Sequence, residues 1–254
     1  DGKNVLYITM EMAEEKIAER IDANLLNVTL DDLQSLPKEL YDRKIQRVRG
    51  KTSGKLIVKE YPTASAHTGH FRHLLNELRL KRSFVPDIIY VDYLNICMSS
   101  RIKSGVNVNS YTLVKAIAEE LRGLAVERVV PIISATQTTR SGYSNSDVGL
   151  EDTSESFGLP ATADFMMALI STEELQDLNQ IMVKQLKNRY NDPTHYKRFV
   201  VGVDRAKMRL YDVEQEAQED VLDGPIMDNS EFGERYHEED TMKWATKTKG
   251  RKDF

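Results

Sequence analysis

Short apolar runs that alternate with amphipathic segments constrain the fold of this chain most strongly. Five runs rich in β-branched, leucine and aromatic residues read as strands, at 4–9, 55–61, 87–94, 129–135 and 164–170. Helical patterns begin between them, at Glu14, Leu36, Phe71 and Tyr111. Strands that are apolar on both faces and alternate with helices indicate a parallel sheet covered on both sides. The sequence therefore predicts a doubly wound α/β core.

The pattern changes beyond residue 171. The runs "QIMVKQLKN", "KRFVVGVD" and "KMRLYDV" follow one another without helices between them, so we expect antiparallel strands added at the C-terminal edge of a mainly parallel sheet. Residues 214–254 are dense in charge and poor in apolar side chains, which is typical of a flexible extension. We therefore assign residues 1–213 to the core and 214–254 to a charged C-terminal extension.

Composition excludes several classes of protein. The 254 residues carry 40 acidic and 35 basic side chains, and a net charge of -5 does not suit a general binder of nucleic acid or membranes, so any polyanion site must be local. No run approaches the roughly 20 apolar residues that span a bilayer. The single cysteine, Cys97, cannot form an internal disulfide, and we expect a cytoplasmic location. The chain enters a strand at once without an initiator methionine, so we expect a fragment of a longer protein.

Polar side chains follow three of the predicted parallel strands: Glu11, Asp92 and Gln137. Because the carboxyl ends of parallel strands meet at one edge of a sheet, we expect these side chains to converge. Two carboxylates and an amide could hold Mg²⁺, orient an attacking water and sense a phosphate. Simpler interpretations stay open, since Glu11 could merely begin the following helix, at the positive end of its dipole, and Gln137 could be an ordinary loop residue.

Asp92 ends a strand, "IIYVD", that otherwise reads as buried. An isolated buried carboxylate costs several kcal/mol unless a cation, a metal or hydrogen-bond donors lie beside it. The fold must therefore bring Asp92 a partner.

Two basic residues of "LKNRY", Lys187 and Arg189, lie two residues apart and therefore on one face of a predicted strand. From the residues alone, a solvated basic edge strand is the favoured interpretation, because lysine and arginine commonly protect edge strands.

Two long polar loops, 99–110 and 138–156, follow the carboxyl ends of predicted strands. They contain Arg101, Lys103 and Arg140 among glycine, serine and asparagine. A few cations amid exposed backbone donors suit a protein that holds phosphates without reading bases. A solvated flexible loop remains the alternative for each.

Several segments together resemble a known family. In order and spacing, "NVLYITMEM", "DIIYVDYLNI", "PIISATQ", "EDTSESFGLPATADFMMAL" and "VKQLKNRYNDP" are similar to the RecA-like motor domain of DnaB-family replicative helicases of the T-even bacteriophage type. The resemblance covers residues 4 to about 211. It implies a RecA-like fold, ATP and Mg²⁺ as cofactors, and a homo-hexamer on single-stranded DNA. It also implies a primase and a helicase loader as partners, and the host cytoplasm as location if the protein is phage-encoded.

The resemblance also implies roles for individual residues. Glu11 would polarise the attacking water, Asp92 would be the Walker B aspartate that holds Mg²⁺ through water, and Gln137 would couple the nucleotide to a DNA loop. Lys187 and Arg189 would reach the γ-phosphate bound by the neighbouring subunit. An arginine finger of this kind contributes about 10³ to 10⁵ in rate.

The segment "EDTSES" resembles the acidic, serine-containing DNA loop of the same family. The resemblance implies that Glu155 and Ser156 contact DNA. Together with Arg101, Lys103 and Arg140, they form the predicted DNA-binding set.

A P-loop, G-x-x-x-x-G-K-[ST], does not occur in the sequence, because "GKTSGK" at 50–55 lacks the required spacing. Without backbone amides that hold the β- and γ-phosphates, we expect this chain alone to bind ATP weakly and to hydrolyse it hardly at all. Three interpretations remain. The chain could be part of a hexameric ATP-dependent DNA helicase, a non-enzymatic relative that binds DNA or replication proteins, or a recombinase-type ATPase.

Overall fold

The computed structural model describes residues 2–102, 108–138, 149–150, 158–192 and 197–214. Its strands are β1 (Val5–Thr9), β2 (Leu56–Glu60), β3 (Ile88–Asp92), β4 (Ile132–Ser134), β5 (Phe165–Ile170), β6 (Gln180–Asn188), β7 (Arg198–Asp204) and β8 (Arg209–Asp212). Its helices are α1 (Glu14–Leu26), α2 (Leu30–Ser35), α3 (Lys38–Arg49), α4 (Thr68–Arg82), α5 (Ser110–Arg128), α6 (Gly158–Thr162) and α7 (Glu173–Asp177), and a 3₁₀ turn covers Leu94–Ile96.

The first four strands form a parallel sheet in the order β2-β1-β3-β4. Each connection between consecutive strands passes through at least one helix, as parallel pairing requires. The central strands are in register, with Thr9 opposite Asp92. The carboxyl ends of β1 and β3 therefore meet at one edge, and the predicted α/β core is confirmed.

The last four strands form an antiparallel sheet in the order β5-β6-β7-β8. The predicted antiparallel strands are present, but their described ladders form a second sheet that also includes β5. Only the short helix α7 separates β5 from β6. This connection is too short for a parallel crossover, which explains why β5 turns back to pair with β6.

The main hydrophobic core lies between the parallel sheet and the helices α4 and α5. Alternate residues of the central strands enter it, including Leu6, Ile8, Ile89 and Val91. The helices contribute Phe71, Leu74, Leu75, Leu78, Ile117, Leu121 and Leu124. The other face of the central strands carries the half-buried side chains of Tyr7 and Tyr90.

Side chains at the helix starts explain where two predicted boundaries shift. The α4 helix begins at Thr68, three residues before the predicted start, because the two histidines before and within its first turn cap it. His67 Nδ1 accepts from the Gly69 amide at 3.0 Å, and His70 Nδ1 accepts from the His67 amide at 3.2 Å. Asn109 caps α5 by accepting from the Thr112 amide at 2.9 Å.

Backbone contacts group residues 1–213 into one compact unit and residues 214–254 into a second. All of the second unit except its first residue lies outside the described residues, so the flexible extension stays a prediction. Within the described part of the chain, no helix has both the length and the apolar character to cross a membrane.

We predict that Phe71→Ala lowers the free energy of unfolding by about 3–5 kcal/mol, because the substitution leaves a cavity where Phe71 is only 1% exposed. Chemical denaturation would measure the loss. The matched control is Leu80→Ala on the same helix, where the side chain is 77% exposed and the change should stay within about 0.5 kcal/mol. Equal losses for the two variants would contradict this description of the core.

Candidate nucleotide and DNA site

A tyrosine hydroxyl is the partner of the carboxylate that ends β3. Tyr7 Oη donates to Asp92 Oδ2 at 2.8 Å, from the neighbouring strand β1. The rings of Tyr7 and Tyr90 stack with centroids 6.0 Å apart, which fixes the tyrosine beside the carboxylate. Burial raises the pKa of Tyr7 well above its ordinary value, and the hydrogen bond to Asp92 raises it further. The tyrosine is thus a stable donor that keeps Asp92 in place.

Glu11 lies close to the same pair. It is exposed in the bend after β1, and its negative charge adds to that of Asp92 in raising the pKa of Tyr7, while Arg20 opposes both. The first turn of α1 contains two other carboxylates, Glu14 and Glu15, and Glu11 lies two residues before the N-cap, Ala13. Glu11 follows Met10, whose amide donates to the carbonyl oxygen of Asp92 at 2.9 Å, so it lies beside the end of β3.

Gln137 joins the same edge of the sheet through the residue that follows Asp92. Its Nε2 donates to Tyr93 Oη at 3.2 Å. The preceding residue makes a similar contact, since Thr136 Oγ1 donates to Asn95 Oδ1 at 2.8 Å. The segments that follow β3 and β4 are thus bound together, and Gln137 lies beside the segment that carries Asp92.

Lys187 and Arg189 both contact the end of the short helix α6. Lys187 Nζ donates to the carbonyl oxygen of Pro160, and Arg189 Nη2 donates to that of Ala161 at 2.7 Å. Burial lowers the pKa of Lys187, and the positive charge of Arg189 lowers it further. The two side chains are close together, as their spacing predicts.

The strand β6 is an interior strand of the antiparallel sheet, because it pairs with β5 on one side and with β7 on the other. The pairs with β7 end at Lys184, however, before Lys187, and Arg189 follows the last residue of β6. A basic edge therefore stays open as an interpretation of Lys187 and Arg189, whose cations donate to backbone carbonyls of α6.

An aspartate between two arginines completes this cluster. Asp164 Oδ1 pairs with Arg189 Nη1 at 2.9 Å, and Asp164 Oδ2 pairs with Arg122 of α5. The hydrogen bond from Arg122 lowers the pKa of Asp164, and that from Arg189 lowers it further. Arg189 is thus held by a carboxylate that has a second cation.

Arg101 is the described member of the predicted DNA-binding set. Its Nη1 pairs with Glu119 of α5 at 2.8 Å, and its side chain is 56% exposed. The other four members, Lys103, Arg140, Glu155 and Ser156, lie outside the described residues.

A buried carboxylate on α5, Glu120, binds the chain just before Arg101. Glu120 is 5% exposed and accepts from Ser99 Oγ at 2.5 Å, Ser100 Oγ at 2.6 Å, the Ser100 amide at 3.0 Å and Thr68 Oγ1 at 2.9 Å. Burial alone would raise the pKa of Glu120, but these hydrogen bonds outweigh it and lower the pKa to about 2. The carboxylate is therefore ionised and fully engaged at neutral pH.

The comparisons with known proteins agree with one another. The family described as DnaB-like helicase C-terminal domain matches residues 1–201. The chain belongs to this family. It is 51% identical over 219 residues to the DnaB-like replicative helicase of Enterobacteria phage T4, a match that covers 85% of this chain and 46% of the phage protein. This DnaB-like chain therefore spans just under half the length of that relative.

Solved structures share the fold of this DnaB-like chain. One, described as a DnaB-like replicative helicase and its interactions with primase, has a TM-score of 0.65 at 16% identity and covers 84% of this chain and 51% of its own. Another, described as an ATPase domain, has a TM-score of 0.63 at 16% identity and covers 83% of this chain and 75% of its own. The RecA-like fold predicted from the sequence is confirmed.

The donor set at the sheet edge of the DnaB-like chain fits a metal that arrives with a nucleotide. Across the described ranges, no group of three or more histidine, cysteine, aspartate or glutamate side chains is gathered around a common point. In nucleotide sites Mg²⁺ is usually held by one or two carboxylates together with phosphates, so Asp92 with Glu11 nearby suits it. The phosphate-binding P-loop does not occur in the sequence.

Three side chains of the site, Tyr7, Glu120 and Asp164, were missed in the sequence, and only Glu120 had a usable signal. Tyr7 shares a strand face with Thr9, but the position of Thr9 opposite Asp92 depends on the strand register, which the sequence does not contain. Glu120 follows Ile117 by three residues and therefore falls on the apolar stripe of α5, where a carboxylate requires donors. Asp164 lies in a quoted motif, but nothing in the sequence pairs it with arginines distant along the chain.

We predict that protonation of Glu120 at acidic pH lowers the free energy of unfolding of the protein. Its pKa in the folded protein, about 2, lies below the ordinary 4.5, so its contribution is complete above pH 4.5 and is lost as the pH falls towards 2. The difference in free energy of unfolding between the unsubstituted protein and Glu120→Gln should shrink over this range. Chemical denaturation at several pH values measures it, with Glu119→Gln as control. A difference that is constant with pH would contradict the proposed cause.

Proposed function

We propose that this chain is the RecA-like part of a hexameric, ATP-dependent replicative DNA helicase that translocates on single-stranded DNA and unwinds duplex DNA at the fork. The observation that carries the proposal is the position of Glu11, Asp92 and Gln137 at one edge of a sheet in a DnaB-like fold. Open α/β sheets bind their ligands at that edge. The 51% identity to a phage DnaB-like replicative helicase supports the same activity.

At this edge the proposed roles divide among three side chains. Asp92, held by Tyr7, would bind the Mg²⁺ of a bound nucleotide, and the ion would neutralise phosphate charge there. Glu11 is exposed near Asp92 and would orient a water molecule by accepting a hydrogen bond from it. Gln137 contacts Tyr93 and would couple nucleotide binding to the position of the loop that follows it.

The proposed hexamer gives Lys187 and Arg189 a role between subunits. Lys187 lies on β6 of the antiparallel sheet and Arg189 directly follows this strand, whereas Asp92 ends β3 of the parallel sheet and Glu11 follows β1 of the same sheet. We propose that the two cations serve the γ-phosphate of a neighbouring subunit. Each nucleotide site would then consist of carboxylates from one subunit and cations from the next.

The proposed partners follow from the same assignment. Single-stranded DNA would contact Arg101 together with Lys103, Arg140, Glu155 and Ser156. Opening each base-pair step costs about 1.4 kcal/mol, which ATP turnover would supply. A primase and a helicase loader are further proposed partners, and one similar solved protein is described with its primase interactions. We propose the host cytoplasm as the location.

ATP hydrolysis by a complete protein that contains this chain, with and without single-stranded DNA, tests the function. We expect turnover that DNA stimulates, and we expect Glu11→Gln to lower it by at least about 10³ while ATP still binds, because the substitution removes only the group that orients water. A fluorescent ATP analogue would measure the binding. DNA or protein binding without turnover would instead support a non-enzymatic relative, and unimpaired turnover in Glu11→Gln would remove its catalytic role.

Complementation between two inactive variants tests the role between subunits. Arg189→Ala should lower turnover by about 10³ or more, because the cation that stabilises the phosphoryl group is lost. In rings mixed from Arg189→Ala and Glu11→Gln subunits, some interfaces combine an intact Glu11 with an intact Arg189, so turnover should return. Arg79→Ala, which changes an exposed arginine at the end of α4, is the control. Mixed rings without activity would place Arg189 in its own subunit's chemistry.

A further inference from the structure

The root of the 99–110 loop is bound to α5 through one buried carboxylate. Six hydrogen bonds to Glu120 come from Thr68, Ser99, Ser100 and the Arg101 amide, and four of them come from the two serines. The Arg101 amide also donates to Ser99 Oγ at 3.1 Å. The backbone from Ser99 to Arg101 is therefore fixed relative to α5.

Because Glu120 is buried, it must keep its hydrogen bonds to the loop root. A carboxylate that is 5% exposed must keep its donors, because an unpaired buried charge is strongly unfavourable. Charge-assisted hydrogen bonds are also stronger than neutral ones. The loop root cannot leave Glu120 unless other donors replace the two serines.

The neighbouring carboxylate contacts a different part of the same loop. Glu119 pairs with the guanidinium of Arg101 at the surface, where the two side chains are 40% and 56% exposed. Adjacent residues of α5 thus bind the loop in two ways. Glu120 holds its backbone and hydroxyl groups inside, and Glu119 holds its exposed cation outside.

We infer that Glu120 is a positioning residue for DNA binding, which fixes Ser99–Arg101 at the loop root so that Arg101 lies at the surface where a phosphate can reach it. Glu120 itself is buried and does not contact DNA. This inference rests on the proposed function, in which the 99–110 loop binds single-stranded DNA. The ligand group is the sugar-phosphate backbone, since arginine contacts to phosphate position a protein on nucleic acid without reading its sequence.

Removal of Glu119 and removal of Glu120 should change the affinity for DNA in opposite directions, and this difference provides the test. Loss of a negative charge near a polyanion site ordinarily strengthens binding, because repulsion falls. Glu119→Gln should follow that rule, and it also releases Arg101 from its partner. Glu120→Ala removes the same charge from the adjacent position but releases the loop root, so it should weaken binding.

The experiment uses the complete helicase and a fluorescent oligothymidine. Glu120→Ala should weaken binding about tenfold, the equivalent of one charge-assisted hydrogen bond. The DNA concentration for half-maximal ATPase stimulation should rise by the same factor, while turnover at saturating DNA is retained. The salt dependence of binding should fall by about one phosphate contact, as it should for Arg101→Ala. Glu119→Gln should bind as tightly as the unsubstituted protein or more tightly.

Milder variants keep the test valid if Glu120→Ala unfolds. Ser100→Ala removes one donor to Glu120 and should weaken binding in the same direction by a smaller factor, and Glu120→Gln should do so too. Two results would overturn this inference without affecting the proposed function. One is an equal change in DNA affinity, in the same direction, for Glu119→Gln and Glu120→Gln, and the other is an unchanged DNA affinity in Ser100→Ala and Glu120→Gln. An unsubstituted protein that binds no DNA would overturn both the inference and the proposed function.

Discussion

The in-register parallel pairing of β1 with β3 determines where the candidate catalytic groups lie. Because Thr9 is opposite Asp92, the bend that carries Glu11 and the segment that begins at Tyr93 leave the sheet side by side. The same register brings the Tyr7 hydroxyl to the Asp92 carboxylate, at 2.8 Å. A shift of one residue would reverse the strand faces and separate these groups. The fully buried side chains of the two strands, packed against α4 and α5, resist such a shift.

The helix α5 connects the remaining parts of the site. Within one turn it carries Glu119 and Glu120, which hold the root of the 99–110 loop, and Arg122, which pairs with Asp164. Asp164 in turn pairs with Arg189. A single rigid element that is anchored in the core through Ile117, Leu121 and Leu124 therefore links the proposed DNA loop to the proposed arginine finger. The packing of this helix sets the positions of both.

Periodicity along the chain was enough to predict the parallel core, its helices and the convergence of Glu11, Asp92 and Gln137, because alternation and strand ends are local properties. It was not enough to predict partners. The antiparallel pairing of β5 depends on the length of one connection, and the Tyr7 contact depends on register. The interior position of β6 depends on which strands flank it. Such contacts join residues far apart in sequence, and a single sequence contains no direct signal for them.

The intramolecular contacts of Arg189 are compatible with the proposed role between subunits. Arg189 is 43% exposed, and a surface ion pair of this kind contributes only about 0–1 kcal/mol. Asp164 would keep its ion pair with Arg122 when Arg189 leaves, so the carboxylate would not be left without a cation. A γ-phosphate carries more charge than Asp164, and its developing charge in the transition state needs a fixed cation. Arg189 is therefore an exposed cation held by one surface ion pair and one backbone carbonyl, for which a phosphate can compete.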